Sequence, residues 1–244
     1  MKESEQTASP AWPADAAGIV AEAVRRFHPR LALASSFSKE DGILMHLLAA
    51  AAPGARVFAL DTGRLPEETH ACAAALEARY GLKVEWHFPR HEAVEGLLRA
   101  QGPLGFRASV ENRRACCGIR KVEPLGRALA GLDAWITGLR RAHGVTRSGV
   151  EAVARDDAHG GIWKISPLAA WTDGEVDTFV REHGIPYNRL YDAGYTSIGC
   201  APCTRAVQPG EDPRAGRWWW ERPEHKECGL HANGREHRTS SVEH

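Results

Sequence analysis

Leu31-Ala32-Leu33-Ala34-Ser35-Ser36-Phe37-Ser38-Lys39-Glu40-Asp41 is the stretch on which the fold turns. Its first four residues are an apolar run of strand length, its middle is rich in hydroxyls, and residues 42–52 carry apolar side chains at helical spacing. A strand that passes through small polar residues directly into a helix aims backbone N–H groups and the positive end of the helix dipole at one point, an arrangement that holds phosphate. The local sequence equally allows a plainer reading, in which the serines only cap the helix.

Working outward, the same unit recurs. Arg56–Leu60 reads as a strand closing in Asp61-Thr62-Gly63-Arg64-Leu65-Pro66, and Pro66 suits the first turn of a helix over Glu67–Tyr80. Residues 83–88 predict a third strand, 91–100 a third helix, 133–139 a strand that discharges into Arg140-Arg141-Ala142-His143, and Ile162–Ile165 a late strand. An amphipathic helix over 14–27 precedes the first strand. Thr172 with Glu175 forms a capping-box pattern before a helix over 173–183. Residues 101–114 gather Gly and Pro and read as a loop, Pro124 begins the main part of a helix running to residue 130, and 144–160 are expected to be mobile. Strands alternating with helices predict an α/β fold, a mostly parallel sheet with helices on both faces, whose ligands bind beyond the carboxyl ends of the strands. Paired arginines there suit a bidentate grip on phosphate or sulfate, although such pairs also occur on solvated loops.

Four of the six cysteines fall in two short sites, Cys116-Cys117 and Cys200-Ala201-Pro202-Cys203. On a helix adjacent thiols lean toward one point, and two cysteines separated by two residues have chelating spacing. Structural zinc through four thiolates and an iron-sulfur cluster both satisfy this pattern; the adjacent pair is unusual for zinc and favours the cluster. Cys72, among alanines on a predicted helix, reads as a small core residue. Cys228, flanked by His225, Lys226 and His231, has neighbours that favour thiolate. It has no partner cysteine nearby, as a nucleophile brought to its substrate would require, and a stray surface thiol is the alternative.

Composition narrows the function classes. Lys and Arg total 31, Asp and Glu total 31, and the formal net charge is zero. No global field steers the chain to nucleic acid or to a membrane surface, and any anion site must be local. No apolar run approaches the roughly 20 residues of a membrane span. The polar, non-signal-like first residues lead to an expectation of a cytoplasmic protein with reduced thiols. Three regions are expected: a flexible lead over 1–13, an α/β domain over 14–207, and a C-terminal segment over 208–244 rich at first in Gly, Pro, Arg and Trp.

Together the motifs Ser-Ser-Phe-Ser-Lys-Glu-Asp (35–41), Leu-Asp-Thr-Gly-Arg (60–64), Arg-Ala-Cys-Cys-Gly-Ile-Arg-Lys-Val-Glu-Pro-Leu (114–125), Ile-Thr-Gly-Leu-Arg-Arg (136–141), Ile-Pro-Tyr-Asn-Arg-Leu (185–190), Tyr-Thr-Ser-Ile-Gly-Cys-Ala-Pro-Cys-Thr (195–204) and Glu-Cys-Gly-Leu-His (227–231) resemble the assimilatory adenylyl-sulfate reductases, in the family's order. The resemblance implies an adenine nucleotide α-hydrolase-like sheet in which residues 35–41 form a modified pyrophosphatase-type loop. It implies one 4Fe-4S cluster per chain on Cys116, Cys117, Cys200 and Cys203, and Cys228 as nucleophile on adenosine 5′-phosphosulfate, with AMP and sulfite as products. The electron donor would be a thioredoxin or a glutaredoxin-like dithiol. Ser35, Ser38, Leu60, Asp61, Thr62 and Gly63 would line the nucleotide pocket; Arg140, Arg214 and Arg217, with Arg141 and His231, would meet the phosphosulfate; Lys121, four residues past Cys117, would stand between cluster and sulfate. Activity on the 3′-phosphorylated substrate is the alternative, followed by a zinc-containing ATP pyrophosphatase of the same fold, whose loop would normally carry the glycines that residues 35–41 lack. No nucleic acid or membrane partner is expected, and a homo-oligomer is left open. Residues 232–244 extend past the point where the family's chains commonly end.

Overall fold

The structure, a computed structural model, describes residues 11–143, 147–222 and 226. Six strands form one sheet: β1 (Leu31–Ser35), β2 (Arg56–Leu60), β3 (Val84–His87), β4 (Ala134–Ile136), β5 (Val153–Asp156) and β6 (Ile162–Ile165), in the order β3-β2-β1-β4-β6-β5. All neighbours run parallel except β5, which pairs antiparallel with β6. The chain moves outward from β1 through β2 to β3, then returns to place β4 on the other side of β1. The strand order therefore reverses between β1 and β4, and the loops leaving these two strands diverge to leave a crevice.

The alternation of strand side chains divides the core in two. Leu31 and Leu33 of β1, Val57 and Ala59 of β2 and Ala134 and Ile136 of β4 face a core completed by α1 (Ala16–Phe27), α2 (Lys39–Ala51), α3 (Glu67–Tyr80) and α7 (Asp173–Glu182). Ala32, Phe58 and Trp135 point the other way, onto Leu125, Ala128 and Leu129 of α6 (Glu123–Leu129). α4 (His91–Gln101) follows β3, and Cys72 is buried in the first core, as its alanine neighbours led one to expect. α7 starts with the predicted capping box of Thr172 and Glu175.

Two expectations need correction. Residues 101–114 are not a loop throughout: α5 spans Val110–Cys117, capped by Ser109, whose hydroxyl accepts from the Asn112 N–H at 3.1 Å. A π-helical turn over Gly118–Val122 then joins α5 to α6. The helix escaped notice because Glu111, Asn112, Arg113 and Arg114 give it no apolar period; its buried face is made by Arg113 and Cys116. Within the stretch expected to be mobile, Val153–Asp156 is an edge strand, whose Arg155 and Asp156 broke the apolar pattern. No helix among the described residues is long and apolar enough to cross a membrane.

Candidate active site

The crevice at the β1/β4 reversal is a groove of about 560 Å³, within the size range of small-molecule sites. One wall is the turn after β1, which is held by its own side chains. The Asp41 carboxylate accepts from the Ser36 N–H (2.7 Å), the Ser36 hydroxyl (2.8 Å) and the Ser38 N–H (3.3 Å), while the Ser38 hydroxyl accepts from the Asp41 N–H at 3.2 Å. Ser38 is thus the N-cap of α2, and it also lines the groove, so the capping and ligand-facing readings of the sequence hold together. The geometry puts Phe37 at φ 60, a left-handed conformation unusual for a bulky side chain and characteristic of functional turns. The opposite wall, after β4, approaches so closely that a Cβ on Gly138 would lie 2.6 Å from Asp41 Oδ1 and 2.9 Å from Glu40 Cβ. Only glycine fits there.

Behind this wall lies an ionic network that the sequence did not disclose. Glu40, 5 % exposed, receives Arg140 Nε at 2.8 Å and faces His143 Nε2 at 3.0 Å. Burial opposes ionisation of Glu40, but the hydrogen bond and charge of His143 and the charge of Arg140 overcome it and bring its pKa down to about 2. Asp41 behaves oppositely: full burial raises its pKa, against the hydrogen bonds from Ser36. Arg140 also donates to Asp173 at 2.5 Å and to the Trp171 carbonyl at 2.9 Å. Its guanidinium lines the groove with its charge already offset by two carboxylates. Arg141 does not line the groove and donates instead to the Val150 carbonyl at 2.9 Å. Arg147, which the sequence reading passed over, does line it.

The second cavity lies beside the groove. Cys116, Cys117, Cys200 and Cys203 all line it, together with Arg64, Arg113, Arg120, Lys121, Arg217 and the rings of Phe106 and Trp218. Three of the four cysteines are buried. Burial pushes the Cys203 thiol up to about 12, with Cys200 and Cys117 adding to the shift and Arg217 and Lys121 opposing it. Cys116 is likewise raised by burial, against Arg64 and Arg120. Three guanidinium nitrogens, Arg64 Nη1, Arg120 Nε and Arg217 Nε, are buried with no hydrogen-bond partner among the described residues. Among the described residues, no three His, Cys, Asp or Glu side chains are grouped as a single metal ion would need.

Groove and cavity share residues. Lys121 and Arg217 line both, and Thr62, which lines the groove, ties it to the cavity by accepting from the Cys200 thiol through Oγ1 at 3.2 Å. The Thr62 carbonyl also accepts from Arg120 Nη1 at 2.6 Å. Lys121 sits in the π-helical turn rather than in the regular α-helix the sequence suggested. Gly199, before Cys200, packs against Arg217: a Cβ there would lie 2.5 Å from its Nη2. Ser35, Ser38, Leu60, Thr62, Arg140, Arg214 and Arg217 are brought to the groove. Asp61 and Gly63 are not: Asp61 caps the turn by accepting from the Gly63 N–H at 2.8 Å and faces His70 at 3.0 Å. Cys228 and His231 lie outside the described residues.

A mostly parallel sheet with a polar groove at its reversal point, adjoining a cavity lined by four cysteines and ringed by cations, defines an α/β protein of the class that binds ligands beyond the carboxyl ends of its strands. Residues 30–206 match the family described as phosphoadenosine phosphosulfate reductase domain, and the chain belongs to that family. It is an enzyme, an oxidoreductase acting on a sulfur group. Proteins named adenosine 5′-phosphosulfate reductase are similar to it along most of its length. That of Allochromatium vinosum is 50 % identical over 202 residues, covering 82 % of this chain and 78 % of its own. That of Burkholderia cepacia is 46 % identical over 204 residues, covering 84 % and 81 %. Among solved structures, the phosphoadenylyl-sulfate reductase of Candida auris, in a phosphate complex, shares the fold with a TM-score of 0.66 at 24 % identity, over 79 % of this chain and 90 % of its own. The FMN adenylyltransferase of Candida glabrata shares it at a TM-score of 0.56 and 13 % identity, over 87 % and 76 %.

Proposed function

We propose that the protein reduces adenosine 5′-phosphosulfate to sulfite and AMP, with Cys228 as nucleophile, a thioredoxin-like dithiol as electron donor and a 4Fe-4S cluster on Cys116, Cys117, Cys200 and Cys203. The observation that carries this reading is the convergence of both cysteine pairs on one cavity that shares Lys121 and Arg217 with the groove and is joined to it by the Cys200–Thr62 hydrogen bond. The substrate follows the relatives named for the unphosphorylated nucleotide, at 43–50 % identity.

The residues present fit the cluster. Four thiols face one cavity, and the partnerless N–H groups of Arg64, Arg120 and Arg217 are suited to anionic sulfur. When bound, the cluster supplies a fixed charge beside the sulfate; the dithiol supplies the electrons.

The nucleotide lies across the β1/β4 crevice with its phosphate toward the N-terminus of α2. Lys121 and Arg217, reaching from the cysteine cavity, and Arg214, on the rim, offset the negative charge of the phosphosulfate. Attack by an anionic thiolate on that group is repulsive in water, and fixed cations lower the barrier. The Cys228 thiolate forms a bond to sulfur, the bond from sulfur to the phosphate oxygen breaks, and AMP leaves with the electron pair, so that S-sulfocysteine remains. A donor thiolate then attacks the Cys228 sulfur and releases sulfite. The donor's second thiol resolves the mixed disulfide, leaving the donor oxidised and Cys228 reduced. Arg140, with its charge offset by Glu40 and Asp173, fixes the groove wall in this scheme and contacts the ligand at its edge. Turnover of the two adenylyl sulfates with reduced thioredoxin, measured alongside iron and acid-labile sulfide, tests the reading. Brown protein that prefers the unphosphorylated substrate is expected; colourless protein with stoichiometric zinc would overturn it.

A further inference from the structure

A buried carboxylate on the edge strand β5, outside both the groove and the cysteine cavity, reaches the groove through a single ring. Trp135, the middle residue of β4, is 1 % exposed and still lines the groove. Strand alternation sends it to the α6 side, where it forms the groove's apolar wall with Ala34, Phe58, Leu60 and Leu125. Its Nε1–H donates to Asp156 Oδ2 at 3.1 Å, in a bond buried from solvent.

Asp156 closes β5 and is 6 % exposed. The 3-10 turn over Asp157–His159 brings an imidazole back to it, and His159 Nδ1 faces the same Oδ2 at 2.9 Å. The His159 ring also meets that of Trp135 edge to face, with 6.0 Å between centres. From β6, Lys164 stands in register with Trp135 and sets its Nζ 5.1 Å from the centre of the ring. Burial opposes ionisation of Asp156, but the hydrogen bond of His159 and the charge of Lys164 outweigh it and hold the carboxyl below its ordinary range. Of these four side chains only Trp135 lines the groove.

Stability alone gives this arrangement little reason, because desolvation offsets much of the attraction within a buried ionic pair. A carboxylate here does something that an apolar side chain of similar size does not. The indole carries its N–H on one edge, so a single buried acceptor selects one orientation of the ring. We propose that Asp156 is a positioning residue for the groove: through the indole N–H it fixes the orientation of Trp135, and with it the wall against which the flat, apolar part of the nucleotide packs. The proposal rests on the reading of the groove as the nucleotide site. His159 and Lys164 hold the carboxylate, and the carboxylate holds the ring.

The test is AMP binding by calorimetry, with KM and kcat for adenosine 5′-phosphosulfate measured on the same proteins and unfolding midpoints as the control for a purely structural role. Asp156→Ala is expected to weaken AMP binding and raise KM about fivefold at unchanged kcat, the loss that one buried hydrogen bond accounts for. Asp156→Asn keeps an oxygen able to accept the indole N–H, and should bring AMP affinity back to within about twofold of the unaltered protein. Trp135→Phe keeps a ring without the N–H and should also weaken AMP binding. The double variant Asp156→Ala with Trp135→Phe should bind AMP no more weakly than Trp135→Phe alone, because the first change then has no interaction left to remove. Should Asp156→Ala fail to fold, Asp156→Leu, which fills the space without offering an acceptor, takes its place with the same expected loss. A lowered unfolding midpoint with AMP affinity unchanged would reduce Asp156 to a structural residue and overturn the proposal, as would losses that add in the double variant. If the unaltered protein binds AMP and the Asp156 variants bind it equally well, this inference alone falls; if the unaltered protein binds no AMP, the functional reading beneath it falls too.

Discussion

The groove wall after β1 and the cysteine cavity are held by partners at very different distances along the chain. In the turn, Asp41 bonds Ser36 and Ser38, three to five residues away. In the cavity, Cys200 meets Thr62 across 138 positions, Arg113 meets Glu221 across 108, and Arg107 donates to the Pro202 carbonyl across 95. Both regions contain a non-glycine residue at positive φ, Phe37 in the one and Trp218 in the other. A locally closed turn keeps its shape when the rest of the molecule is perturbed, whereas a cavity assembled from four separate segments depends on every closure that brings them together.

The largest expected effect separates both regions from the chemistry itself. Cys228→Ser should retain the brown colour and bind AMP, yet form sulfite more slowly by at least about 10³-fold, as loss of a nucleophile does. Sulfite release at the unaltered rate would remove the nucleophile assignment. Lys121→Ala acts at the shared boundary. Turnover should fall by about 10² to 10³, the loss typical of one fixed charge at a developing anion, while much of the iron stays bound. A loss confined to iron content, with normal turnover per cluster, would place Lys121 with the cavity alone.

Glu40→Gln bears on the groove wall. Leaving Arg140 and His143 without their shared carboxylate should cost about 3 kcal/mol at neutral pH, read from denaturant or thermal unfolding. The sign with pH follows from the lowered pKa. Glu40 contributes fully above its ordinary value of 4.5, and the contribution is lost as pH falls through about 2. The gap between the unaltered protein and the variant should therefore close across that interval; a gap independent of pH would show that the charge is not what matters. Gly138→Ala is the smallest change and the most local. Forcing a Cβ against Asp41 should cost about 1–3 kcal/mol and weaken AMP binding, leaving iron content unchanged. Loss of iron in this variant would erase the distinction between the two regions.

Legibility in the sequence follows the same division. The strands and helices around β1 and β2 were readable because apolar period and capping residues act within a few positions: Arg56–Leu60 and Glu67–Tyr80 fall where the pattern put them. The cysteine motifs were visible as chelating pairs, although spacing alone left zinc and iron-sulfur both open. α5 was not readable, because the partner that makes Arg113 a core residue lies 108 positions away. The same holds for Glu40, whose ordinary place in a helix's first turn gave no sign of its burial between Arg140 and His143. Arg140 and Arg141 looked equivalent as a pair, and only packing turns the first into the groove and the second away from it.

By itself, the sequence determined the alternation of strands and helices, the polar turns at the strand ends, and the presence of four thiols in two chelating pairs, since each depends on neighbours in the chain. The tertiary structure alone decided that both pairs meet in one cavity, that this cavity shares Lys121 and Arg217 with the groove, and that the buried charges Arg113 and Glu40 find their counterions. The physical reason is desolvation: a buried charge is tolerated only where another segment delivers the opposite one, and which segment does so is fixed by the packing of the sheet and its helices.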